Sequence, residues 1–79
     1  MKIKVLLFAG LREKAGKGEI ELEVEKGTTP KDIPGRIFGL EMNAVPKSLR
    51  FVVNEDYVAG DSALKDGDEV ALIPPVAGG

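Results

Sequence analysis

The sequence predicts a single small α+β domain. Its 79 residues fit one core, several short apolar segments have strand character, and one segment between them carries helix-start chemistry. A domain of this size buries only about 60% of the surface its unfolded chain exposes, so its core must be economical.

Residues 3–8 (Ile-Lys-Val-Leu-Leu-Phe) are partly β-branched and almost unbroken in apolarity. They read as a strand buried on one face and partly covered on the other. Residues 9–15 are good helix formers, but too few for more than a turn or two, and Gly16-Lys17-Gly18 breaks the element. Residues 19–25 alternate without a fault. Ile20, Leu22 and Val24 are expected to face the core, with Glu19, Glu21, Glu23 and Glu25 in water. The glutamate row reads as a solvated, edge-protecting face rather than a cation site. The short connector makes the two strands an antiparallel pair.

Lys26-Gly27 turns the chain. Thr29 is a plausible N-cap, Pro30 suits the first helical position and Asp32 the first turn. Pro34-Gly35 then interrupts, unless the helix begins later with Asp32 as its cap. A short or distorted helix over 30–40 is expected, with Ile33, Ile37, Phe38 and Leu40 inward. Residues 41–48 read as loop. Leu49 to Val53 read as a strand, Asn54-Glu55-Asp56 as a tight turn, Tyr57-Val58-Ala59 as a short return, Asp66-Gly67-Asp68 as a turn and residues 69–73 as the last strand. With the last strand central, this order is that of a β-grasp, although periodicity alone does not single it out from other small α+β layouts. Neither internal repeats nor a domain boundary is visible.

Composition excludes much chemistry. The chain has no cysteine and no histidine, which removes disulfides, thiolate sites, the commonest general base and the commonest metal ligand. Ser48 and Ser62 are its only serines. No catalytic site of its own is expected. Eleven basic and 13 acidic residues give a net charge of -2, which argues against non-specific nucleic-acid binding. Lys2 and Lys4 interrupt the first apolar run, and no stretch approaches the ~20 apolar residues of a membrane span. A cytoplasmic protein with no membrane or nucleic-acid partner is the expectation.

The informative segment is Pro74-Pro75-Val76-Ala77-Gly78-Gly79. The prolines cannot donate ladder hydrogen bonds, so the last strand ends there, and they favour an extended backbone. The division expected is a domain over 1–73 and a flexible tail over 74–79. Fully extended, those last six residues reach about 20 Å. Gly78 and Gly79 make the end thin enough to thread a narrow channel and leave its carboxylate open to attack. A carboxylate must be activated before it reacts, and the chain has no phosphate-binding glycine loop. Activation must then come from another protein.

Lys4-Val5-Leu6-Leu7-Phe8-Ala9, Leu11-Arg12-Glu13, Leu64-Lys65-Asp66-Gly67-Asp68-Glu69-Val70 and above all the 74–79 tail resemble the small subunit of molybdopterin synthase, the MoaD group of the MoaD/ThiS superfamily of ubiquitin-like sulfur carriers. The resemblance covers both ends well and the middle poorly. It implies a β-grasp fold, with a mixed sheet packed on one short helix. It implies that an adenylyltransferase related to ubiquitin-activating enzymes uses ATP-Mg to adenylate Gly79. A sulfur donor protein then makes the thiocarboxylate, and the tail enters the large synthase subunit to sulfurate a pterin precursor of the molybdenum or tungsten cofactor. No cofactor or metal is implied on this chain. An exposed apolar patch docks the partners in the family, and the motifs map it to Phe8, Ile73 and, by weaker alignment, Tyr57; ordinary core packing is the alternative for each. Arg12 reads as a surface arginine that could pair with an acidic partner residue. Pro34-Gly35 departs from the family's unbroken helix. Other readings are a sulfur carrier for thiazole in thiamine synthesis, a protein modifier joined through Gly79 to target lysines, and an interaction module with an inert tail.

Overall fold

A computed structural model describes residues 1–39 and 48–75. Its elements in chain order are β1 (Lys2–Leu7), α1 (Ala9–Ala15), β2 (Glu19–Glu23), a 3-10 turn (Pro30–Asp32), α2 (Ile33–Phe38), β3 (Arg50–Val53), β4 (Asp56–Val58) and β5 (Glu69–Ile73). The five strands form one mixed sheet in the order β2-β1-β5-β3-β4. β1 pairs antiparallel with β2 and parallel with β5, and β3 pairs antiparallel with both β4 and β5. The last strand is therefore central, as expected.

The strand alternation decides the two faces of the sheet. Ile3, Val5 and Leu7 of β1 and Val70 and Leu72 of β5 point to one side, where they join Leu11, Val24, Ile33, Phe38 and Leu64 in the core. Val5, Val70, Leu72 and Ile33 are completely buried. Each such side chain contributes roughly 1.5–3 kcal/mol by leaving water. Ile20 and Leu22 pack against the cluster from β2, at the edge of the sheet, and are only partly buried.

The family resemblance implies one short helix beneath the sheet, and residues 9–15 are expected to form no more than a turn or two. The sheet instead packs against two short helices: α1 adds a second element and anchors it with Leu11, which is buried. Gly16 closes α1 with a left-handed backbone, its N–H donating to the Arg12 carbonyl at 2.9 Å.

Pro34-Gly35 does not interrupt the second helix. The segment opens with a 3-10 turn, and Pro34 falls at the start of α2, where a missing N–H costs little. The entry is held by Thr29 and Asp32. The Thr29 backbone N–H and its hydroxyl both donate to Asp32 Oδ2, at 3.0 and 2.9 Å. The Asp32 N–H donates back to the Thr29 carbonyl at 3.0 Å. The α-helix does begin later, with Asp32 at its N-cap position as the alternative start implies, although the Asp32 side chain makes no cap hydrogen bond to α2 and bonds Thr29 instead. Ile33 and Phe38 are buried and Ile37 packs against the core, as the periodicity implies. Leu40 and residues 41–47, expected as loop, lie outside the described residues.

The Asp66-Gly67-Asp68 turn has a structural task. Asp66 Oδ1 accepts the Lys2 N–H at 2.7 Å, and the Gly67 N–H donates to the Lys2 carbonyl at 2.7 Å. Gly67 does so at φ 86, a left-handed conformation that favours glycine. The turn thereby fixes where β5 enters beside β1.

Candidate functional site

The sheet face away from the core carries side chains in rows that the strand register defines. Glu23 lies opposite Lys2, and Lys4 lies between Glu21 and Glu69. The next row is Glu19, Leu6, Ala71, Val52 and Tyr57. Beyond it Ile73 lies opposite Arg50, and the β1–β5 register continued by one residue puts Phe8 beside Ile73. One half of the face is thus a lattice of opposite charges, a stable arrangement in water. The other half is apolar between Glu19 at one side and Arg50 at the other.

Each interface residue expected from the sequence falls on that apolar half. Phe8 is 43% exposed and Tyr57 70%. Ile73 is half-buried. None of the three belongs to the buried core. The apolar surface also includes Leu6, Val52 and Ala71, which motif matching missed. Ala71 is buried yet stands apart from the core cluster, because Leu6 and Val52 flank it on the outer face. The signal was present in the sequence: the 5–8 run is apolar at consecutive positions, so both faces of the end of β1 are apolar.

Local backbone geometry holds Phe8 outward. Phe8 is extended, and its carbonyl accepts the N–H groups of Leu11 and Arg12 at 3.1 and 3.3 Å. Ala9 follows at φ 48. That left-handed residue reverses the chain in one step, sending Leu11 into the core while Phe8 stays on the outer face. An L-residue there costs roughly 1–2 kcal/mol. Arg12 projects from α1 over the backbone of Gly18, where a Cβ would come within 3.2 Å of its Nε.

The tail leaves from the same end. β1 and β5 are parallel, so the chain passes from Ile73 into Pro74 and Pro75 beside Phe8. Pro74 is half-buried and Pro75 exposed. Val76, Ala77, Gly78 and Gly79 lie outside the described residues. The patch therefore borders Pro74, where the chain leaves β5.

A separate concavity lies away from this patch. An open groove of about 320 Å³, lined by Lys14, Ala15, Lys17, Ile20, Ile37 and Phe38, lies on the helix side of the sheet. Among the described residues no group of three or more Asp or Glu side chains is arranged to hold a metal ion, and no helix is long and apolar enough to cross a membrane.

The ThiS family profile matches residues 5–79. The chain belongs to the ThiS family. This ThiS-family chain is 43% identical over 83 residues to the molybdopterin synthase sulfur carrier subunit of Chlamydomonas reinhardtii, covering all of both chains. It is 35% identical to the Escherichia coli protein of the same name, over 98% of this chain and 99% of that one. Among solved structures, the Pyrococcus furiosus protein described as molybdopterin converting factor subunit 1 superposes with a TM-score of 0.81 at 32% identity, covering 96% of this chain and 99% of the other. The small archaeal modifier protein 1 of Haloferax volcanii superposes with the same TM-score at 27% identity, covering 95% and 98%. A Helicobacter pylori chain in a complex of subunits 1 and 2 of molybdopterin-converting factor shares the fold at 21% identity, with a TM-score of 0.65 and complete coverage of both chains. The ThiS-family chain accordingly has the ubiquitin-like β-grasp fold.

Proposed function

We propose that this chain is the sulfur carrier subunit of a molybdopterin synthase. The observation that carries the reading is end-to-end similarity to sulfur carrier subunits, and the apolar outer face that borders Pro74 supports it. In this reading a partner enzyme adenylates the Gly79 carboxylate with ATP-Mg, releasing pyrophosphate. A persulfide on a sulfur donor protein attacks the acyl carbon and AMP leaves. Reductive cleavage of the resulting acyl disulfide by a thiol leaves the thiocarboxylate on Gly79. The large synthase subunit then binds the Phe8, Ile73 and Tyr57 face, and residues 74–79 thread toward the pterin precursor. Attack of the thiocarboxylate sulfur on a precursor carbon displaces an oxygen leaving group from that carbon, and hydrolysis of the acyl–sulfur bond then leaves sulfur on the pterin and regenerates the carboxylate.

The chain has neither cysteine nor histidine, so sulfur rides on the chain end and the folded body acts as a handle. The test uses the full chain with its activating enzyme, sulfur donor and large subunit. Intact mass is expected to show one oxygen replaced by sulfur, and pterin sulfuration is expected to require it. Deleting Gly79, or adding a residue after it, is expected to abolish both while leaving the thermal melt unchanged. Sulfuration that survives the added residue would refute the reading.

A second reading, conjugation through Gly79 to lysines of other proteins, draws on the likeness to the Haloferax modifier protein. It predicts Gly79-dependent higher-mass conjugates in cells. Binding to a thiazole-forming enzyme in place of the large synthase subunit would instead indicate the thiamine pathway.

A further inference from the structure

Arg50 stands apart from every other charge on the outer face. Lys2 and Lys4 face glutamates directly across the strands. Arg50 faces Ile73 on one side, and the β3–β4 register continued by one residue puts Ala59 on the other. It is exposed, and among the described residues its guanidinium has neither an ion-pair nor a hydrogen-bond partner. It sits next to Ile73, within the apolar half of the face and at the root of the tail. Glu69 lies two rows away along β5, opposite Lys4, and Glu19 lies at the far side of the patch, beyond Leu6.

We propose that Arg50 is a specificity-determining contact of this face, and that the large synthase subunit meets it with a carboxylate set beside an apolar surface. The inference rests on the docking reading above. When an apolar partner covers Phe8, Ile73 and Tyr57, the guanidinium beside them loses water. A desolvated cation is tolerated only with a hydrogen-bonded counter-charge. Carboxylate is the group whose geometry matches the guanidinium fork, through two parallel N–H to oxygen bonds. The three-carbon stem of Arg50 also extends the apolar surface, so the contact joins the patch rather than its rim. Arg50 and Glu19 lie on opposite sides of the patch with opposite charge. A partner carboxylate over Arg50 therefore fixes the rotational setting in which the tail root faces the partner's channel.

The experiment is calorimetric titration of the full-length carrier into the large subunit of its own synthase, at two salt concentrations. Arg50→Ala is expected to weaken binding by about tenfold or more and to flatten its salt dependence. Arg50→Glu is expected to weaken it further, and Arg50→Lys to fall between wild type and Arg50→Ala. Thermal melts should coincide for all variants, since the side chain is exposed. A single Asp or Glu to Lys substitution on the partner that restores binding to Arg50→Glu would identify the carboxylate. If Arg50→Ala and Arg50→Glu bind within twofold of wild type while Phe8→Asp does not bind, the Arg50 contact is refuted and the docking face stands. If Phe8→Asp and Ile73→Asp also bind normally, both fall.

Discussion

The side-chain amide of Asn54 donates to Asp68 Oδ1 at 2.8 Å, tying the β3–β4 hairpin turn to the turn that launches β5. Asn54 Oδ1 in return accepts the Glu69 N–H at 3.0 Å, and Asp68 Oδ2 accepts the Lys65 N–H at 2.8 Å. Asp68 is 9% exposed. Replacing it with alanine leaves the Asn54 amide and the Lys65 N–H short of acceptors, and Asp68→Ala is expected to destabilise the fold by about 1–3 kcal/mol. Urea denaturation should show a lower midpoint with an unchanged slope. Asn54 also holds φ 50, followed by Glu55 at φ 74, the paired left-handed residues of a tight hairpin. Asn54→Gly should therefore cost less than Asn54→Ala, which loses both the side chain and the backbone preference.

The apolar outer face and the core respond oppositely to the same kind of change. Phe8→Asp and Ile73→Asp are expected to leave the melting temperature within a few degrees of wild type and to abolish large-subunit binding. Leu72→Ala, one residue from Ile73 but completely buried, is expected to lose roughly 2–5 kcal/mol. If Ile73→Asp unfolds the domain, Ile73 is a core residue in effect and the docking face shrinks to Phe8 and Tyr57.

Acid should weaken the entry to α2. The backbone N–H of Thr29, with its hydroxyl second, holds the Asp32 carboxyl below its ordinary value of 3.8. A depressed carboxyl stabilises the folded state fully above that ordinary value, and the contribution is lost as pH falls through the lower folded-state value. Melting temperatures of wild type and Asp32→Asn should therefore differ at pH 6 and converge as the pH drops below about 4. A constant gap across that window would mean that the hydrogen bonds, not the charge, carry the stabilisation.

Gly60 is a close-packing position. A Cβ there would lie 3.2 Å from the Phe51 ring and 3.3 Å from Lys31 Cβ, while the Gly60 carbonyl accepts the Lys31 N–H at 3.0 Å. The neighbours must give by a few tenths of an ångström, so Gly60→Ala is expected to cost about 1 kcal/mol and Gly60→Val more. Chemical denaturation of the two variants, compared with Gly35→Ala, where a Cβ meets nothing within 4 Å, isolates the packing effect.

Much of this was legible before any coordinates. Strict alternation placed Ile20, Leu22 and Val24 inward, and proline with threonine placed the start of the second helical segment. The consecutive apolar residues of β1 announced apolar character on both faces of that strand, because strict alternation is what a strand with one face in water requires. Pro34 was harder to read. A proline forbids a helix only where its missing N–H would have had a partner, and the preceding 3-10 turn moves it to a position where none is needed.

The sequence by itself determined which residues alternate, where the turns fall, and that no thiol or imidazole chemistry can be carried by this chain's own side chains. Only the tertiary structure decided which residues meet. Phe8, Ile73, Val52 and Tyr57 come from four strand segments, and whether they form one surface depends on a parallel β1–β5 pairing and an antiparallel β3–β5 register that no local pattern specifies. A shift of that register by one residue would turn Ile73 inward and Leu72 outward. The contacts that forbid the shift, the Asp66 and Gly67 bonds to Lys2 and the Asp68 bond to Asn54, join segments far apart in the chain.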